Sequence, residues 1–179
     1  MASKKHVMLG AVLSAAAAVA GTIAVEGPAS APPALEVRFS PLGGCTAEVV
    51  ADIAAARKFV HVLAYSFTSK PIADALAAAK RRGVDVQVVL DKGQPSALGN
   101  QIATLRAAGV PVWIDHKHAI AHNKVVGVDG VLVETGSFNF TAAAEASNGE
   151  NALTIRDAAL AAKYEADFQK HKAHSEPLK

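Results

Sequence analysis

The stretch that most constrains the fold runs from His122 to Glu150, HNKVVGVDGVLVETGSFNFTAAAEASNGE. Asp129-Gly130 stands between two apolar runs. An Asp-Gly pair tolerates the positive φ that a two-residue hairpin turn demands, so the pair reads as a hairpin that folds VLVETGS back along HNKVVGV. Residues i and i+2 of a strand face the same way, and a strand through His122 therefore sets its imidazole beside the Lys124 ammonium. Ser137 and Asn139 return to the neighbourhood of His122. A nucleophile or base, a fixed cation and two small polar groups converge at one strand end.

The remaining chain alternates strands and helices. Strands are expected over 35–39, 59–67, 84–90, 110–114 and 151–155. Helices are expected over 46–58, from Ser69 to Gly83, over 96–108, over 141–147 and after Asp157. Ser69 stands where a helix cap is needed, with Pro71 in the first turn, and Gly83 stands past the last turn. Inner stripes follow from helical spacing: Val49, Val50, Ile53 and Ala56; Ile72, Leu76 and Ala79; Ile102 and Leu105; Leu160, Tyr164 and Phe168. Such alternation gives an α/β fold, a mixed β-sheet sandwiched between helices on both faces, with ligands at strand ends. His61 lies inside an apolar strand and reads as a satisfied core histidine. The Lys- and His-rich tail from Lys170, with His171 and His174, is expected to fray.

Residues 1–31 read as a secretory signal peptide. Lys4 and Lys5 precede a long uncharged run, and Ala29-Ser30-Ala31 is a small-x-small cleavage site. An uncleaved membrane anchor is the alternative, since the run is long enough to span. Either reading puts the single domain of 32–179 outside the cytoplasm, periplasmic or secreted. Losing two bases and one acid takes the formal charge from +2 to +1. That near balance excludes a polycationic DNA coat, and a nucleic-acid partner needs a local basic groove. Cys45 is the only cysteine, so no intrachain disulfide forms; it reads as a small buried apolar residue, with an intermolecular disulfide as the minor alternative.

The spacing H-x-K-x4-D-x6-G-S-x-N is complete from His122 to Asn139. At average usage, six residue types at fixed offsets recur by chance on the order of once in 10^8 starting positions. The chain resembles the phospholipase D superfamily, which carries this pattern. VHVLAYSFTS, DKGQ, AGVPVWID and NGENALTI extend the likeness to the small single-motif bacterial endonucleases of that superfamily, from about Leu35 to the last helix. The resemblance implies a phosphodiesterase fold and a phosphohistidine route. His122 would be the nucleophile, Lys124 a fixed charge on the phosphate oxygens, and Ser137 and Asn139 hydrogen-bond donors to the same oxygens. Backbone N–H groups near Gly136 would assist. Glu150, in NGEN, would accept the Nδ1 proton of His122. Asp129 and Gly136 read as structural. There is one H-x-K, yet the two-step reaction needs two imidazoles. Chains of this branch pair two subunits, so a homodimer is implied.

The motif does not choose between DNA, RNA and phospholipid. Small size favours nucleic acid, with Lys117, Lys92, Lys70, Arg81 and Arg82 as backbone contacts that carry no sequence information. A secreted phospholipase D is the runner-up. His116, His118 and His122 could instead bind zinc in a zinc-dependent hydrolase. Against that, Lys124 repels a cation beside His122, so no metal or other cofactor is assigned. A catalytically idle binding scaffold would lack His122 or Lys124, and both are present. Asp91 ends a strand and reads as a solvated cap near the cleft.

Overall fold

Apolar runs that alternate with amphipathic ones fold into one layered unit. The computed structural model describes residues 34–179; the signal reading of residues 1–31 lies outside them. The strands are β1 Ala34–Ser40, β2 Phe59–Ala64, β3 Asp85–Asp91, β4 Val112–Asp115, β5 Lys124–Val128, β6 Leu132–Gly136, β7 Glu150–Arg156 and β8 Glu176–Pro177. The helices are α1 Cys45–Ala55, α2 Lys70–Arg81, α3 Ile102–Ala107, α4 Ala142–Ala146 and α5 Ala158–His174. The strands form one mixed sheet in the order β1-β7-β6-β5-β2-β3-β4-β8. Only β2, β3 and β4 run parallel, joined by the crossover helices α2 and α3.

Helices cover both faces, as the alternation implies. On one, Val49 and Ile53 of α1 and Ile72 and Leu76 of α2 pack on Val60, Val62, Val86 and Val88, and Cys45 is buried among them. On the other, Ala161 and Phe168 of α5 pack on Leu63, Val89, Val125 and Val133. His61 is buried on the α5 face, stacked between Phe59 and Phe168 at 4.6 and 4.4 Å. Its Nδ1 lies 2.8 Å from Glu165 Oε2. On edge strand β1, Leu35, Val37 and Phe39 are exposed.

The hairpin forms at the expected place, with φ of 55° at Asp129 and 71° at Gly130, but Val128 pairs with Leu132, so its loop has three residues, 129–131, rather than two. Its turn also does tertiary work. The Asp129 carboxylate accepts the backbone N–H groups of Arg57, Lys58 and Phe59 at 2.8, 2.7 and 2.9 Å. Burial alone would raise its pKa, but these donors outweigh burial and lower it. The same bonds account for α1 ending at Ala55 rather than near Lys58: the N–H groups of 57–59 point at the carboxylate and leave the helix.

Three other expectations are corrected. The helix expected over 96–108 is a short turn at Gln94–Ser96 followed by α3. Asn100 separates them, because its side chain donates to Ala97 O and accepts from Ile102 N. Ser69 is the N-cap of α2, yet its side chain makes no capping bond. The tail does not fray. α5 continues to His174, β8 pairs with β4, and Lys172 packs over the Trp113 ring at 4.6 Å while donating to Gln87 Oε1.

One polar pair is buried against the grain. Glu134 on β6 is 2% exposed and faces Asp52 of α1, whose other oxygen accepts Arg156 Nη2 at 3.1 Å. Burial, and then the nearby Asp52 charge, push the Glu134 carboxyl up to about 8. Glu134 therefore holds its proton at neutral pH, although neither of its oxygens has a hydrogen-bond partner among the described residues. A folded-state pKa above the unfolded value of 4.5 gives stability that is complete below pH 4.5 and lost as pH rises through about 8. We expect urea unfolding to show wild-type stability falling between pH 5 and 9. Glu134→Gln, which is neutral at every pH, should match wild type at pH 5 and exceed it at pH 9 by about 1–3 kcal/mol.

Candidate active site

The sheet gathers the motif by register. β5 pairs with β6 so that Val125 faces Thr135, and β6 pairs with β7 so that Gly136 faces Ala152. β2 runs antiparallel to β5 with Ala64 opposite Lys124. The end of β2, the start of β5, the end of β6 and the start of β7 thus share one edge of the sheet. Ser40, paired with Glu150, and the ends of β3 and β4 lie at this edge too.

His122 sits two residues before β5, in an extended run whose Asn123 O accepts the Tyr65 N–H at 2.8 Å. The imidazole is exposed, while Lys124 beneath it is 7% exposed. Lys124 Nζ lies 3.2 Å from His122 Nδ1 and 3.0 Å from His122 O. The Tyr65 ring packs on both, 4.5 Å from the imidazole centroid and 5.2 Å from Nζ. Burial lowers the Lys124 pKa, and the Glu150 carboxylate opposes the shift. An ammonium only donates, so Nδ1 accepts and the neutral imidazole carries its proton on Nε2. The expected Lys124–His122 neighbourhood is therefore formed.

Ser137 and Asn139 lie just beyond β6, with Ser137 exposed and Asn139 half-buried. Ser137 Oγ accepts Asn151 N at 3.1 Å, and Asn139 Oδ1 is enclosed with no hydrogen-bond partner among the described residues. The backbone N–H groups of Ser137 and Phe138 both donate to Asn151 O at 3.1 Å, so they are not open donors for a phosphate as the sequence suggested. Gly136 is obligatory here: at φ 152°, a Cβ would stand 2.3 Å from Asn151 O. Glu150 also departs from expectation. Its Oε1 accepts Asn148 Nδ2 at 3.1 Å, and His122 Nδ1 is turned to Lys124 instead.

The basic residues divide. Lys92 and Lys117 are exposed at the His122 edge, where Lys92 Nζ donates to His118 O at 3.1 Å. Lys70 starts α2 at this edge and is paired with Asp74. Arg81 and Arg82 end α2 at the opposite edge, where Arg82 Nη2 caps α1 through Ile53 O and Ala54 O. They therefore stand at the end of α2 away from His122.

Nor does the histidine trio form. His116 is exposed, His122 faces Lys124, and His118 Nδ1 turns to Asp115 Oδ2 at 2.8 Å. Asp91 is not a solvated cap. It is buried, accepting Gly93 N and Ala121 N at 2.8 Å each, and so holds the loop that delivers His122. Spacing could not reveal Tyr65, Asn151, Asp91 or Asp115 as supports of the site, because each acts across strands.

Residues 49–172 match the family model described as cardiolipin synthase, PLD-like domain. Phospholipase D from Rickettsia bellii (strain RML369-C) is 39% identical over 137 residues, 76% of this chain and 68% of that protein. Mitochondrial cardiolipin hydrolase from Xenopus laevis is 35% identical over 122 residues, 68% of this chain and 58% of that protein. Among solved structures, the phospholipase D family member Nuc from Salmonella typhimurium superposes with a TM-score of 0.78 at 38% identity, covering 83% of this chain and 99% of that one.

Gly136→Ala tests the site's packing. The added Cβ must displace Asn151 and with it Ser137 Oγ. We expect a folded protein about 1–3 kcal/mol less stable by urea unfolding, with phosphodiester cleavage reduced by at least tenfold. Wild-type stability and rate in this variant would contradict the close approach.

Proposed function

Because the chain belongs to the phospholipase D-like family, we propose that this phosphodiesterase hydrolyses nucleic-acid backbones without reading sequence, through a phosphohistidine formed on His122. The observation that carries the reading is the exposed imidazole held on a buried lysine. A phosphodiester offers two anionic oxygens, and Lys124, poorly solvated under Tyr65, has much to gain from pairing with them. As Nζ turns to the phosphate it releases Nδ1; the exposed imidazole gives its Nε2 proton to water and takes one from water on Nδ1, which then donates to Glu150, and the lone pair is left on Nε2. Nε2 attacks phosphorus while the P–O bond to the leaving oxygen breaks. A second imidazole gives that oxygen its proton, then takes one from water as the water attacks the phosphohistidine. Ser137 and Asn139 are the assigned donors to the phosphate oxygens. Chemistry of this kind requires no metal at the reacting phosphate.

The second imidazole is assigned to the partner's His122 in a homodimer with a composite site. His116 and His118 lack a partnering lysine. An isologous contact near His122 meets its own copy, and Phe39, Leu42 and Ile120 are exposed and apolar at this edge of the sheet. Nucleic acid is favoured by the likeness to the single-motif endonucleases along nearly the whole length of Nuc and by exposed Lys92 and Lys117 beside the site. Phospholipid is the second reading, favoured by the relatives named phospholipase D and cardiolipin hydrolase. The signal-like residues 1–31 support export to the periplasm or beyond.

Two measurements test this. Purified protein is offered plasmid DNA, RNA and phosphatidylcholine vesicles in EDTA at 25 °C. Wild type should cut nucleic acid, and His122→Ala and Lys124→Ala should each lose about 10^3-fold or more in rate while keeping the fold. Faster turnover of phosphatidylcholine than of either nucleic acid would favour the second reading instead. Sedimentation run beside activity at falling protein concentration should show rate per chain declining as dimers dissociate. A fully active monomer would overturn the shared site.

A further inference from the structure

Three histidines and one aspartate from distant parts of the chain, none of them assigned to the phosphodiesterase reaction, converge on one point. Asp115 Oδ2, on the last residue of β4, lies 2.8 Å from His118 Nδ1, 2.9 Å from His171 Nδ1 and 3.1 Å from His174 Nε2. One ligand atom from each of the four residues lies within 4.8 Å of the other three. The three rings touch, with centroids 4.8, 5.1 and 5.4 Å apart. A tetrahedral zinc with bonds near 2.0 Å has ligand–ligand edges of roughly 3.3 Å. The observed oxygen–nitrogen separations of 2.8 to 3.1 Å fall only a few tenths of an ångström short of that edge.

We propose that Asp115, His118, His171 and His174 form a structural zinc site that fastens the end of α5 to the loop leading into His122. Three imidazoles and one carboxylate suit Zn2+ and disfavour Mg2+ and Ca2+, which prefer oxygen. Four protein ligands leave no open position, which marks a structural rather than a catalytic ion.

The surrounding contacts are those that orient zinc ligands. Asp115 Oδ1 accepts the backbone N–H groups of Lys117 and His118 at 3.0 and 3.3 Å, so Oδ2 faces the three imidazoles. His171 turns Nδ1 to Asp115 Oδ2 while its Nε2 lies 3.6 Å from Asp167 Oδ2, so Nδ1 is the nitrogen placed to ligate. The Asp115 side chain is fully buried while that of His118 is 44% exposed, so an ion has a way in. The fastened loop, residues 116–121, is held at its far end by the Asp91–Ala121 bond and delivers His122 directly. Asn123 reaches the same helix, its Nδ2 3.4 Å from His171 Nε2. No ligand is shared with His122 or Lys124, so this inference stands or falls apart from the assigned reaction.

The test uses the full chain without a polyhistidine tag, stripped with EDTA and titrated with Zn2+ alone against a chromophoric chelator. One Zn2+ per chain should bind with sub-micromolar Kd, and Mg2+ and Ca2+ should not compete. Zinc should raise the melting midpoint by several degrees. His171→Gln and His174→Gln should each weaken binding at least tenfold and abolish that rise, whereas His116→Ala and His122→Ala should leave stoichiometry and midpoint shift unchanged. Absence of zinc binding at 10 µM by folded wild type would overturn the site, as would binding that survives the His171→Gln, His174→Gln double variant. The wild-type titration decides the question even if a variant does not fold.

Discussion

Three hydrogen bonds to one carboxylate set the geometry on which the rest depends. Asp129 turns the β5–β6 hairpin and, by accepting the N–H groups of Arg57, Lys58 and Phe59, also marks where α1 stops and β2 begins. Register in a sheet is all or nothing, since a slip of one residue turns every side chain to the other face. The clamp therefore decides at one edge of the sheet which residues meet at the other. Ala64 lies opposite Lys124 and Val125 opposite Thr135 because Phe59 and Val128 are held beside the turn. The motif aspartate is thus far from the chemistry in space and close to it in consequence.

At the reactive edge the chain spends buried polarity on position. Asp91 and Asp115 are buried and take backbone N–H groups from the loops that follow β3 and β4. Burial alone would raise the Asp115 pKa, but the imidazoles of His118, His171 and His174 and the backbone donors hold it well below the usual carboxylate range. Glu134 meets the same desolvation differently, by keeping its proton, while Asp52 beside it takes the Arg156 guanidinium. The ends of β3 and β4 thereby hold the loop before His122, while β6 and β7 brace Ser137 through Asn151. His122 itself remains exposed over a buried lysine, the arrangement a nucleophile on a large anionic substrate needs.

The sequence by itself determined the local and periodic features. The Asp129-Gly130 turn, the inner faces of α1 and α2, and the neighbouring of His122 and Lys124 follow from φ preference and side-chain period, which act within a few residues. The motif spacing also named the family, because its members sit on one hairpin. Only the tertiary structure decided what depends on partners distant in the chain. Helix ends moved because Asp129 captured three N–H groups and Asn100 bonded its own neighbours. Ser137 and Phe138 N–H groups went to Asn151, and Glu150 to Asn148. Arg81 and Arg82 lie at the edge opposite His122, since a crossover helix carries its two ends to opposite edges of the sheet. The tail from Lys170 reads as a frayed end because charge and histidine give no apolar periodicity. Its order comes instead from Asp115, Gln87 and Trp113, more than fifty residues earlier, and contacts across such separations leave no spacing in the chain to read.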